Sequence, residues 1–101
     1  YADTASTGDV IFCAQLGAIT TNTDTQDIET KALATAQTVT DTHLGTTGQR
    51  LHTVDLTISN LDSIAAGDWC VLRLYRDADA AGDTMAGDAS VTLISLSYSD
   101  T

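Results

Sequence analysis

The residues best equipped for chemistry lie in the run RDADAAGDTMAGDA, which places Asp77, Asp79, Asp83 and Asp88 within a dozen positions. Clustered carboxylates and loop carbonyls are the hard oxygen donors that calcium takes six to eight at a time. The spacing is not that of an EF-hand, however, and the closing glutamate is missing. Aspartates also initiate turns by bonding their own backbone. The loop is therefore expected to be a structural turn that needs no metal. His43 and His52 stand nine residues apart with no shared element, and Asp41 falls beside His43 and Leu44 in what reads as a loop, not a dyad. No joint metal or catalytic role is expected of them. The chain also has no G-x-S-x-G elbow, P-loop or G-x-G-x-x-G turn.

Cys13 and Cys70 are too few for a disulfide scaffold, and no CxxC or histidine pair at ligand spacing accompanies them, which argues against zinc. Two readings stand. Both thiols are buried and act as small hydrophobes, or facing strands bring their Cα atoms within ~4.4–6.8 Å and bond them. Trp69 and Tyr75 are flat apolar platforms of the kind sugars stack on. Aromatics make up only 5% of the chain, which is thin for a lectin. Trp69, Val71 and Tyr75 share one strand face, with Ile11 and Cys13 as neighbours. An apolar second face on a small sandwich more often marks a subunit contact, so Trp69, Val71, Tyr75 and Ile11 are the expected interface.

Those side chains need elements to position them, and the hydrophobic pattern has the period of two that belongs to strands. Residues 68–76 put Cys70, Leu72 and Leu74 on one face and Trp69, Val71, Arg73 and Tyr75 on the other. Residues 9–19 carry apolar side chains on both faces, as in a strand covered on both sides. Residues 50–59 alternate cleanly, Val54, Leu56 and Ile58 inward, Thr53, Asp55 and Thr57 outward. Residues 35–42 form a further strand, preceded by a helical turn that Asp27 could cap. In the last strand, 89–98, the apolar residues change parity near Leu93 and Ile94, which a β-bulge would explain. Residues 1–8 read as a polar lead-in, and Leu61 and Ile64 as plugs at the end of a sandwich. The expected core is Cys70, Leu72, Leu74, Val54, Leu56, Ile58, Phe12 and Leu16.

Five or so short strands separated by polar turns indicate an all-β fold, an antiparallel sandwich. The 101 residues make one domain with one modest core. A complete two-sheet sandwich usually has more strands, which leaves room for a neighbouring segment or chain to finish it. The net charge of -10 repels phosphate backbones and anionic lipid, so neither nucleic acid nor membrane is an expected partner. The longest apolar run, 10–14, falls far short of the ~20 residues that span a bilayer. With no initiator methionine before Tyr1, the chain reads as a processed form or a piece of a longer protein.

The run AAGDWCVLRLYRDADAAGDTMAGDASVTLISLSY, 65–98, resembles the C-terminal half of jelly-roll-like β-sandwich domains in structural proteins of tailed bacteriophages. The motifs that carry the resemblance are the Gly67–Asp68 turn, the apolar strand from Val71 ending in Arg76–Asp77, Asp83–Thr84, Gly87–Asp88–Ala89 and the closing Tyr98. Gly8–Asp9–Val10 and the TVTDT of 38–42 match more loosely. The resemblance implies a jelly-roll-like sandwich and a non-enzymatic structural subunit of a virion or similar extracellular assembly: a fibre, spike, appendage or decoration. It implies homo-oligomer contacts or other virion proteins as partners and no catalytic residue or cofactor. The alternative on the same fold is a carbohydrate- or receptor-binding module, with a surface glycan as ligand. Trp69 discriminates the two, buried between copies in the first case and facing solvent beside polar groups in the second.

Overall fold

The computed structural model describes residues 1–4, 7–22, 25–44 and 48–99. Three strands form one antiparallel sheet: β1, Asp9–Ile19; β2, Gln37–Thr42; and β3, Trp69–Arg76. The order is β2-β1-β3, with the doubly apolar β1 at the centre, as its sequence demands. The two partners are staggered along it. β2 pairs from Asp9↔Thr42 to Ala14↔Gln37, and β3 from Phe12↔Arg76 to Ile19↔Trp69, so all three strands run side by side only over 12–14. Where β3 has ended, the acidic loop takes over its edge. Asp77 N–H donates to the Ile11 carbonyl at 2.9 Å, and the Thr84 and Met85 N–H groups share the Asp9 carbonyl at 2.8 and 3.0 Å.

The two faces of this sheet are covered differently. On the face carrying Cys13, Gln15 and Gly17, the segment after Lys31 lies across β1. Ala34 N–H donates to the Leu16 carbonyl at 2.9 Å, and Gln15 Nε2 donates to the Ala34 carbonyl at 3.2 Å. A methyl group on Gly17 would come within 2.6 Å of the Leu33 side chain, so glycine lets this segment settle on the strand. On the opposite face, a small cluster of Ala2, Val10 and Met85, with Phe12 and Ala89 packed against it, closes one end. The rest of that face, with Leu72 and Leu74, borders an open groove of about 350 Å³.

The architecture is therefore β with no helix among the described residues, and a single three-stranded sheet in place of the expected full sandwich. The expected strands at 50–59 and 89–98 lie along the groove, but apart from the isolated bridge Ala2↔Ala89 neither is laddered to a neighbour. The bulge expected near Leu93 and Ile94 has no partner strand against which to form. The radius of gyration, 16.2 Å, exceeds the ~13 Å of a closed domain of about 100 residues.

The expected core is corrected accordingly. Leu16 is 9% exposed, but Leu72, directly opposite it, is 37% exposed. Cys70, Leu74 and Val54 are also exposed, and Phe12, Leu56 and Ile58 are half-buried. The core that closes is made instead by Ala2, Val10, Cys13, Ala14, Leu16, Ala18, Ile19 and Met85. Alternation ranked the residues by face, and the face it chose is the one with too little chain opposite it.

Ala2, placed by its sequence in a polar lead-in, is buried, and Leu61 and Ile64 are exposed rather than plugging an end. Residues 28–30 form a turn without a helix, and Asp27 accepts from Glu29 N–H at 2.9 Å as an Asx turn would. Both cysteines are free thiols, Cys13 buried and Cys70 exposed. Cys13 stands opposite Tyr75 and Cys70 opposite Ala18. The odd offset puts their side chains on opposite faces of the sheet, where no disulfide can form.

Candidate functional site

The acidic loop is organised by a cation from β3. Arg76, whose position opposite Phe12 sends its side chain toward the loop, holds Asp83 with two parallel bonds, Nε to Oδ2 at 2.9 Å and NH2 to Oδ1 at 2.6 Å. The same guanidinium donates to the Met85 and Gly87 carbonyls at 2.6 and 2.7 Å. The Asp83 side chain is only 2% exposed, and its Oδ2 also accepts the Ile11 N–H at 3.0 Å. The guanidinium beside it, and then the Ile11 N–H, hold its carboxyl below the usual carboxylate range. An oxygen pair that already accepts three charge-assisted or backbone bonds is a structural anchor, not an open cation ligand. Asp79 and Asp88 are exposed, and Asp77 is half-buried. Among the described residues no three His, Cys, Asp or Glu side chains converge as a metal site would require.

A second contact of the same kind fixes the far end of β1. Asp62, in a turn where it and Ser63 adopt φ of 52° and 56°, accepts the Ala18 N–H at 2.9 Å and pairs with Lys31 at 3.0 Å. The backbone donor first, and the lysine next, lower its carboxyl below the usual range.

Sequence spacing gave no sign of the Asp41–His52 pair. Asp41 is in β2, not in a loop, and its Oδ1 meets His52 Nε2 at 2.7 Å across eleven residues. Neither residue's neighbours in sequence predict this, because 50–59 is brought to β2 by the turn between them. The other ring nitrogen, Nδ1, faces the Arg50 carbonyl at 3.5 Å. His43 lies beside the pair with Nε2 buried and unpartnered. A catalytic dyad would need the second ring nitrogen aimed at a nucleophile or substrate. Here that nitrogen looks at main chain. The pair pins residue 52 to the sheet and so sets one wall of the groove.

The expected interface residues fall on the opposite face to the groove. Trp69 is opposite Ile19, Val71 opposite Gly17 and Tyr75 opposite Cys13. Ile11 lies further along β1, against Gly82 of the acidic loop. Arg73 lies over the Tyr75 ring at 4.6 Å, and burial, with the Cys13 thiol next, raises the Tyr75 hydroxyl above its ordinary pKa. Trp69 and Tyr75 are thus brought onto one face as expected. Val71 and Tyr75 are half-buried, whereas Trp69 is exposed at the strand start, next to Asp68, which accepts a bond from the Thr20 hydroxyl at 2.8 Å.

The groove occupies the face that alternation of apolar residues assigned to a closed core. Its floor is Phe12, Ala14, Leu72 and Leu74; residues 51–58 form one wall and 91–96 the other. Leu93 is 81% exposed, and Val91, Ile94 and Leu96 are also exposed. Its lining mixes apolar side chains with Thr, Ser, His52 and two aspartates, and no charge-bearing cluster converges within it. The arrangement can bind by apolar contact and main-chain hydrogen bonds. No family model, curated protein or solved structure matches this chain.

Proposed function

We propose that the chain is a non-enzymatic structural subunit of a virion or similar extracellular assembly, such as a fibre, spike, appendage or decoration, completed by contacts with copies of itself or with other virion proteins. The observation that carries this reading is the uncovered apolar floor of Phe12, Leu72 and Leu74 beside exposed Leu93, Ile94 and Leu96. So much contiguous apolar surface on one small chain is the mark of a surface meant to be covered. The jelly-roll-like motifs of 65–98 add the virion context. The Trp69 face, on the other side of the sheet from this floor, supplies a second contact, between copies.

Sedimentation velocity over a range of concentrations tests it. The wild-type chain should associate, and Trp69→Ser should weaken association while the circular dichroism spectrum is retained, since a central interface aromatic contributes ~2 kcal/mol or more. A wild-type chain that stays monomeric at every concentration would sink the contact between copies.

A glycan- or receptor-binding module is the second reading, favoured by Trp69 lying exposed beside the Asp68–Thr20 pair. Trp69 is the sole tryptophan, so its fluorescence reports directly on that face. Quenching by soluble oligosaccharides from a monomeric chain would select this alternative.

A further inference from the structure

Charge in this molecule is largely uncompensated and widely spread. Fourteen acidic residues stand against four basic ones. Among the described residues only two carboxylates meet a lysine or arginine, Asp62 at Lys31 (3.0 Å) and Asp83 at Arg76 (2.6 Å). Of the other cations, Arg73 lies over the Tyr75 ring and donates to Gln15, and Arg50 is exposed. Asp3, Asp27, Glu29, Asp55, Asp79 and Asp88 are all exposed. They are distributed over the first residues, the turn before β2, one groove wall and the acidic loop, so no single counter-ion could serve them. Only the ionic strength of the medium can.

Self-repulsion of this kind works against the compact state. What resists it is slight. The core that closes has Ala2, Ala14 and Ala18 among its members and no buried aromatic ring, and Cys13 is its most completely enclosed side chain. The radius of gyration, 16.2 Å, sets the length scale. The Debye length is ~30 Å at 0.01 M salt, ~8 Å at 0.15 M and ~3 Å at 1 M. In dilute salt every carboxylate therefore feels every other, whereas in molar salt only groups in contact still interact. The two ion pairs are such groups, and the Asp83 side chain, 2% exposed, is shielded from ions that would weaken it. Molar salt thus removes the repulsion and keeps the anchors.

We infer that this chain is built for a medium of molar salt, and that ionic strength switches its contacts with other copies on and off. The switch rests on the assembly-subunit reading, whereas the salt requirement of the fold does not. Two copies of net charge -10 repel each other at low ionic strength, although each carries exposed apolar side chains such as Trp69 and Leu93. Once the charge is screened, those apolar surfaces are free to meet. Dilution reverses the step with no change in covalent structure.

Thermal unfolding of the whole chain in about 0.05 M and about 3 M KCl tests the fold. The melting temperature should rise by roughly 10 °C or more with salt. A chain already unfolded in dilute KCl and folded in molar KCl is the extreme form of that result, and an unchanged or lower value would overturn the inference. A triple variant, Glu29→Gln, Asp55→Asn and Asp79→Asn, separates screening of charge from salting-out of apolar surface. It takes the net charge from -10 to -7 without touching either ion pair. Repulsion grows with the square of the charge, so the variant should show about half the wild-type salt gain. A gain equal to that of the wild type would assign the effect to apolar surface and overturn the inference. Sedimentation velocity at the same two salt concentrations reads the switch. The wild-type chain should be monomeric in dilute KCl and associated in molar KCl, and the variant should associate at lower salt. Association indifferent to salt would overturn the switch alone. A chain stabilised by salt yet monomeric at both concentrations overturns the contact between copies and the switch with it, while supporting the salt-dependent fold.

Discussion

The corner around Arg76 and the groove between 51–58 and 91–96 both lie beside the same three-stranded sheet, yet they end in opposite states. At the corner, one guanidinium serves Asp83, Met85 and Gly87, and the Asp83 carboxylate serves Ile11 in return. The guanidinium's own partners lie within about a dozen residues of chain, and the Asp83 carboxylate and the loop backbone complete the balance against β1. In the groove, apolar side chains of β1, β3, 51–58 and 91–96 line a common space, and among the described residues the backbones of 51–58 and 91–96 join no strand ladder. Hydrogen-bonding needs can be met by a few well-placed groups, whereas an apolar face needs a second layer of comparable area. The chain supplies the first at the Arg76 corner and the second only at the end held by Ala2, Val10 and Met85.

Leucine truncation on the two sides of one cross-strand pair probes that contrast most strongly. Leu16→Ala should cost ~2–5 kcal/mol, the range for emptying a buried leucine site. Leu72→Ala, directly opposite but 37% exposed, should cost roughly half as much or less in the free chain. Urea unfolding of both variants measures the ratio. Equal losses would mean that the groove is filled in solution.

The closed end depends on Gly8, at φ 110°, where a Cβ would sit 2.9 Å from Thr84 Oγ1 and 3.0 Å from the Met85 nitrogen. Gly8→Ala should therefore cost ~1–3 kcal/mol from backbone strain alone, read as a lower urea midpoint. An unchanged midpoint would show that the Gly8–Thr84 approach does not support that end.

Acid should act on the anchors. Asp83 and Asp62 both have carboxyls lowered by their partners, so their contribution is complete above the ordinary carboxylate range and is lost as pH falls below it, through the lowered folded values. Stability should thus decline from about pH 4 downward. Asp83→Asn should flatten that decline while lowering stability at neutral pH. A decline of the same slope in the variant would remove Asp83 from the account. The smallest effect is expected from chelation. With Asp83 committed to Arg76, EDTA should leave the melting temperature unchanged, and a drop restored by calcium would return Asp77, Asp79 and Asp83 to the role of ligands.

The sequence by itself determined what depends on near neighbours. The alternation of Trp69, Val71, Arg73 and Tyr75 against Cys70, Leu72 and Leu74 specified β3, and the doubly apolar 9–19 specified the central strand, because the pleat of a strand is fixed residue by residue. The aspartate spacing identified a turn-rich loop. Tertiary structure decided what lies opposite each face. It decided that Leu72 looks into an open groove and not a closed core, that Leu33 settles over Gly17 on the other face, and that Asp41 meets His52. It also gave Arg76, unremarkable in the sequence, the task of holding the acidic loop. Burial and pairing are set by segments tens of residues away, and periodicity carries no record of how much chain will arrive to cover a face.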